Sequence, residues 1–376
     1  MPSTVTRPKA YLKVRHRTLR EALKALRLDA MLITHAPDVA YLTDFEGDES
    51  ALVVTAGEFR LITDFRYRQL VEMQAGWLKT VVRQTGMAQA IADLLAKLKV
   101  KRVGFEANQI TVGQHKALEQ AIRDARGTRA VELVPVERVL ANMRKVKDDH
   151  EIDLIRKSVA VAEEAYGAVR ASIKAGLTEN YIAGLMILEL RARGASDASF
   201  PVVVASGPNS ALPHYRPGES LIQPDAPLLL DWGAVVGGYA SDITRTLFVG
   251  HVSDRLRKAY KVVLEAQQAA IRFLRPGVTT AQADRVARGV IEEAGFGAAF
   301  GHSLGHGIGR EVHELPEARP AAPEEELRPG MVLTVEPGIY LPGEGGIRIE
   351  DDVLITHSGC EVLSTIDRSL EACYLG

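Results

Sequence analysis

At 376 residues, and roughly 150 residues per domain, the chain has room for two or three domains. Its 46 Lys+Arg nearly cancel 48 Asp+Glu, and a net −2 lacks the basic excess of a nucleic-acid binder. With 46% hydrophobic and 25% charged residues, and no apolar run near the roughly 20 residues of a membrane span, the composition is that of a soluble globular protein.

Residues 1–13 hold Arg7, Lys9 and Lys13 without an apolar stretch behind them, so no secretory signal is expected and the expected location is cytoplasmic. Leu12, Leu19, Leu23 and Leu26 have helical spacing and lead into a strand at 30–34. Residues 51–55 and 59–63 flank Ala56-Gly57-Glu58 as a hairpin. A helix marked by Ile91, Leu94, Leu95 and Leu98 precedes strands at 102–105 and 131–134. This alternation predicts an α/β first domain over 1–140 and a second over 141–376.

The second domain opens with an amphipathic helix. Ile152, Ile155, Val159, Ala162, Tyr166, Val169 and Ile173 share one face, with Asp148 or Asp149 as N-cap and Gly176 as stop. Another helix runs from Glu179 to about Arg193. Residues 173–178 (IKAGLT) are echoed 101 positions later by residues 274–279 (LRPGVT), each between two helical stretches and ahead of an acidic strand pair. His214, Asp231 and Asp242 mark one copy, and His313, Glu336 and Glu350 the other. The order predicts a duplicated helix–helix–hairpin unit building one curved sheet with a site on its pseudo-twofold axis. Cys360 and Cys373 lack CxxC spacing and read as free packing thiols.

Gly237-Gly238 is a two-residue turn signal, and counting outward from it puts Gly233 opposite Asp242. Asp231 then projects from the same face as Asp242, a diagonal neighbour. Glu336 and Glu350 likewise sit on apolar strands, and Arg348 shares a face with Glu350. Buried carboxylates need a cation or a shifted pKa. Arg245 and Arg348 are the obvious salt-bridge partners, yet two arginines cannot neutralise four acids. Residues 300–309 hold four glycines around His302 and His306 and lack the Lys-Ser/Thr of a phosphate loop. One imidazole with four carboxylates suits Mn²⁺, with Co²⁺, Zn²⁺ or Fe²⁺ as alternatives. Five such residues exceed the needs of one catalytic ion and fit a two-metal centre about 3.5–4 Å across.

These residues resemble the pita-bread metallopeptidases, in the Xaa-Pro branch that holds aminopeptidase P and prolidase. The resemblance spans essentially the whole chain. It rests on Asp231-Trp232-Gly233 with Asp242-Ile243-Thr244-Arg245-Thr246, Gly305-His306-Gly307-Ile308-Gly309, Val312-His313-Glu314-Leu315-Pro316, Glu336-Pro337-Gly338-Ile339-Tyr340 and Gly346-Ile347-Arg348-Ile349-Glu350-Asp351. Tyr41-Leu42-Thr43 and Thr63-Asp64-Phe65-Arg66-Tyr67 are similar to the creatinase-like N-terminal domain of the same family. The resemblance implies that Asp231 holds one metal and His306 and Glu336 the other, with Asp242 and Glu350 bridging. It further implies that Glu336 takes the proton of the attacking water, and that His214 and His313 bind substrate and steady the tetrahedral intermediate. His302 matches another active-site histidine, and Tyr340 and Arg348 groups that orient the ligands. The expected substrate is a proline-containing peptide cleaved at an N-terminal Xaa-Pro bond, as in aminopeptidase P.

The alternative is a prolidase, which acts on dipeptides and calls for a basic group on the substrate carboxylate. Related prolidases carry Arg just after the His-Glu-x-Pro segment, where this chain has Glu317 and then, two residues on, Arg319. A methionine aminopeptidase, a metal-free creatinase-like enzyme and a non-catalytic binding protein of the same fold are the further alternatives. By resemblance a homodimer is expected, with no nucleic-acid or membrane partner.

Overall fold

The computed structural model describes residues 9–125, 131–319 and 325–375. They form two compact units, Met1–Met143 and Arg144–Gly376. No described helix is long and apolar enough to cross a membrane.

In the first unit the elements run α1 (Ala10–Ala25), β1 (Ala30–Ile33), α2 (Ala36–Thr43), β2 (Ala51–Thr55), β3 (Phe59–Thr63), α3 (Arg68–Ala75), β4 (Lys79–Val82), α4 (Met87–Leu98), β5 (Arg102–Glu106), α5 (Val112–Asp124) and β6 (Glu132–Val136). The six strands form one mixed sheet in the order β4-β3-β2-β1-β5-β6. Strand alternation sends Met31, Ile33, Leu52 and Val54 into a core with Leu19 and Leu23 of α1. Ala30, Leu32, Ala51 and Val53 point the other way, against Ile91, Leu94 and Leu95 of α4 and Leu118 and Ile122 of α5. With both faces covered, the strands read as apolar runs rather than alternating ones.

A short helix, α6 (Val139–Lys145), precedes the helices α7 (Asp149–Arg170) and α8 (Glu179–Ala192). Asp148 caps α7 in a reciprocal capping box with Glu151. The helix ends at Arg170, short of Ile173, which is buried beyond it. Strands β7 (Asp197–Ala198), β8 (Val203–Ser206), β9 (Ala226–Trp232), β10 (Ala234–Val236), β11 (Tyr239–Ala240) and β12 (Ile243–Val249) follow.

The plan then repeats: α9 (Asp254–Phe273), α10 (Thr280–Glu293), β13 (Gly305–Gly307), β14 (Glu314–Ala318), β15 (Val332–Val335), β16 (Gly338–Leu341), β17 (Gly345–Arg348), β18 (Asp351–Ile355), β19 (Cys360–Val362) and β20 (Tyr374–Leu375). The echoed hexapeptides do the same work in each half. Gly176 and Gly277 both turn at positive φ (88° and 85°), and Thr178 and Thr279 both cap the second helix of their pair. In place of the single curved sheet expected, the strands form a four-stranded sheet β20-β12-β9-β8, a five-stranded sheet β14-β13-β15-β18-β19 and the smaller sheets β11-β10-β7 and β16-β17. Thr244 and Glu350 form a β-bridge that joins the two larger sheets. Both cysteines are free thiols.

Candidate active site

The glycine turn sets the register that the sequence predicts. Val236 pairs with Tyr239, and the same count continues through Ile243 with Trp232 and Thr244 with Asp231. Gly233 has no room for a side chain, because a Cβ there would lie 1.8 Å from the Ser241 carbonyl oxygen. Trp232 fixes the strand from behind, stacking on Tyr166 at 4.8 Å between ring centroids and donating its Nε1–H to the Ala162 carbonyl at 3.0 Å. Asp231 thereby faces a cavity of about 650 Å³. Asp242, His306, Glu336, Glu350, His214, His302, His313 and Arg348 line the same cavity. Tyr340 lies just behind them, donating its hydroxyl hydrogen to His302 Nε2 at 2.8 Å.

The centre is acidic and largely buried. Asp242, His306 and Glu350 each offer a ligand atom within 4.8 Å of the others. His306 Nε2 is 3.6 Å from Asp242 and 3.4 Å from Glu336. His306 Nδ1 is 3.2 Å from the Gly307 carbonyl, an acceptor, so the ring proton sits on Nδ1 and Nε2 presents a lone pair to the carboxylates. Burial, then the neighbouring His313, pushes His306 down to about 4 and keeps it neutral. Burial and the surrounding negative charge push Asp242 and Glu350 well above the ordinary carboxylate range, and burial lifts Glu336 to about 8. Buried oxygens Asp231 Oδ1 and Asp242 Oδ1 have no hydrogen-bond partner. Lone pairs and carboxylates converging without a proton donor are unfavourable unless a cation sits among them.

The arginines do not supply that cation. Arg245, expected as a partner of the four acids, instead binds Asp351 at 2.7 Å together with the Thr244, Glu350 and Ile366 carbonyls. Arg348 pairs with Asp231 and donates to Thr244 Oγ1 at 3.1 Å and the Tyr340 hydroxyl at 2.9 Å. Its proximity to Glu350 in sequence does not become a hydrogen bond, because Thr244 Oγ1 occupies that carboxylate. Among the described residues no Lys or Arg bonds the carboxylate of Asp242, Glu336 or Glu350. His302 donates its Nδ1–H to the Ser303 carbonyl at 2.8 Å, so an ordered chain of donors runs Arg348, Tyr340, His302.

Several supporting residues were not evident from the sequence. Glu179 is fully buried and accepts from Ser206 N, Asn209 Nδ2 and the Tyr215 hydroxyl at 2.7–2.9 Å, fixing the segment that carries His214. In sequence it looks like an ordinary first-turn acid of α8. Asp352 is buried, and its Oδ2 accepts the backbone N–H of Asp242 at 3.1 Å. Arg216, Phe200 and Pro201 line the cavity too, and so do Glu317 and Arg319, whose Nε and Oε2 are 2.6 Å apart.

Glu314, next to His313, binds Arg144 and lies 3.4 Å from Lys147, both buried. Burial alone would raise its pKa, but Lys147 and then Arg144 outweigh burial and hold it below the ordinary value of 4.5. A carboxyl lowered in the fold stabilises above its unfolded pKa and loses that contribution as pH falls through the folded value. Glu314→Gln is therefore expected to cost about 3–5 kcal/mol at pH 7, because it takes the carboxylate from buried Lys147 and leaves Arg144 paired with Glu311 instead. In urea titrations the deficit against wild type narrows once the pH falls below about 4.5; a deficit that stays constant down to pH 3 contradicts this role.

A model of metallopeptidase family M24 matches residues 153–357, and one of the creatinase/prolidase N-terminal domain matches residues 15–146. The chain belongs to metallopeptidase family M24. It is 38% identical to the uncharacterized peptidase YqhT of Bacillus subtilis, over 94% of this chain and 98% of that one. A solved Xaa-Pro dipeptidase from Bacillus anthracis superposes with TM-score 0.91 at 35% identity, covering 97% of this chain and all of the other. An X-Pro aminopeptidase from Thermotoga maritima superposes with TM-score 0.85 at 34% identity, covering 94% and 99%. The M24 chain is thus a mixed α/β protein, a creatinase-like unit followed by a pita-bread unit, and an Xaa-Pro type metalloexopeptidase.

Proposed function

We propose that the chain is a dinuclear metal-dependent exopeptidase that hydrolyses the Xaa-Pro bond at the N-terminus of peptides. The observation that carries this reading is the convergence of the His306 Nε2 lone pair with Asp242, Glu336 and Glu350, to whose carboxylates no Lys or Arg among the described residues is bonded. The donor set fits two hard or borderline divalent ions, which Asp231, Asp242, His306, Glu336 and Glu350 would hold between them. Oxygen-rich ligation with one imidazole favours Mn²⁺. Such a pair of ions, when bound, polarises the scissile carbonyl and acidifies water.

The side chains do the rest. Glu336, held as the carboxylate when the cations are bound, accepts the proton of the attacking water and passes it to the departing proline nitrogen. His214 and His313, both in the cavity wall, offer ring N–H groups to the carbonyl oxygen as it becomes an oxyanion. Arg348 and Tyr340 hold Asp231 and His302 so that neither drifts as charge redistributes.

A dipeptidase needs a dedicated cation for the substrate carboxylate. Arg319 faces the cavity but is engaged by Glu317, which favours aminopeptidase P chemistry. The dipeptidase reading keeps support from Arg216, which lines the cavity with no acidic partner among the described residues, and from the Bacillus anthracis relative. Hydrolysis of Xaa-Pro and Xaa-Pro-Xaa by the metal-loaded enzyme decides between them. Comparable kcat/KM on both is the expected result; turnover of the dipeptide alone assigns a prolidase.

A further inference from the structure

We propose that the N-terminal unit carries a second binding site, separate from the peptidase cavity, for a small phosphate-bearing ligand. Lys13, His16 and Arg20 lie at three- and four-residue steps on one face of α1. They wall a cavity of about 330 Å³ whose other sides are Gly57, Glu58 and Phe59 at the β2–β3 turn, with Trp77 and Lys79.

The charge there is unbalanced. Glu58, the one carboxylate in the wall, is taken by Lys79 at 2.9 Å and by Arg60 at 3.1 Å. Lys13 and Arg20 have no acidic partner among the described residues. Arg20 lies 5.2 Å over the Phe59 ring, which holds its guanidinium at the cavity wall.

His16 makes this a built pocket rather than a patch of surface charge. It is 5% exposed, its Nε2–H donates to the Leu42 carbonyl at 2.7 Å, and its ring packs 4.0 Å from Phe59 and 5.4 Å from Trp77. The donors of Lys13 and Arg20, both on α1, outnumber the two oxygens of a carboxylate and match the several acceptor oxygens of a phosphate. The half-buried indole of Trp77 gives the organic portion of a phosphate ester an aromatic wall.

Inorganic phosphate and AMP, titrated calorimetrically into the full metal-loaded chain, test the site, with Trp77 fluorescence as the local reporter. The other tryptophan, Trp232, is 0% exposed in the peptidase unit and serves as constant background. Saturable binding of both ligands is expected, AMP the tighter, with an affinity loss of about tenfold or more in Arg20→Ala and in Lys13→Ala. Lys13→Ala alters an exposed side chain, so it keeps the test valid should Arg20→Ala fold poorly; peptide hydrolysis is unchanged in it. AMP no tighter than phosphate assigns the site to the free anion. Absence of saturable binding, or binding undiminished in Lys13→Ala and without a Trp77 signal, as for phosphate held at the peptidase metals, overturns the proposal.

Discussion

Asp242→Ala and Glu350→Ala are each expected to lose peptide hydrolysis by at least about a thousandfold and to retain little divalent metal. Stabilisation by bound ions is worth several kcal/mol in such reactions, and each 1.4 kcal/mol is about tenfold in rate. A simple folding defect would give the same activity loss, and the electrostatics separate the two. Burial, then the repulsion of neighbouring carboxylates, holds both acids well above the ordinary carboxylate range. An acid whose folded pKa exceeds its unfolded one opposes folding at every pH above the unfolded value. In chelator-treated protein at pH 7, Glu350→Gln is therefore more stable than wild type, and added Mn²⁺ stabilises wild type but not the variant. Thermal unfolding with and without Mn²⁺ reads both effects. A variant that keeps wild-type turnover, or one whose metal-free form melts earlier than wild type, contradicts a ligand role for that carboxylate.

Arg348→Met has the opposite sign. The guanidinium is 3% exposed and binds Asp231, Thr244 and Tyr340 at once. Truncating one partner of a buried pair typically costs about 3–5 kcal/mol, because the remaining charge is left uncompensated. At about 2–4 °C per kcal/mol for a unit of this size, the melting temperature of the metal-free protein falls by about 6–20 °C. Adding Asp231→Asn removes the stranded charge, so the double variant recovers part of the loss. A cycle with purely additive effects rules out the Asp231–Arg348 coupling.

Much of the centre was legible in the sequence because local rules governed it. Gly237-Gly238 set the register of Asp231 and Asp242 through a two-residue turn, and the echoed Ala-Gly-Leu-Thr and Pro-Gly-Val-Thr segments located both helix pairs. Long-range pairing was less accessible. Nothing local to Arg245 distinguishes Asp351 from Glu350 as its partner, and the choice is made only when the two sheets meet at the Thr244–Glu350 bridge. Glu179 and Asp352 act through backbone N–H groups far along the chain, at Ser206 and Asp242, which no periodicity reports. In the first unit α5 leaves little trace in the sequence although Thr111 and Gln114 form its capping box, since its apolar stripe reduces to Leu118, Ala121 and Ile122. The short helices α2 and α3 offer only about two turns each, too little for a 3.6-residue period to stand out.

The proposed centre holds two adjacent divalent ions gathered by Asp231, Asp242, His306, Glu336 and Glu350. Anomalous diffraction at the manganese edge from crystals of Mn²⁺-loaded protein tests this directly. Two peaks about 3.5–4 Å apart, both within bonding reach of Asp242 and Glu350, are the expected result. An empty centre under saturating Mn²⁺, or ions bound elsewhere while these five side chains remain unligated, would contradict it.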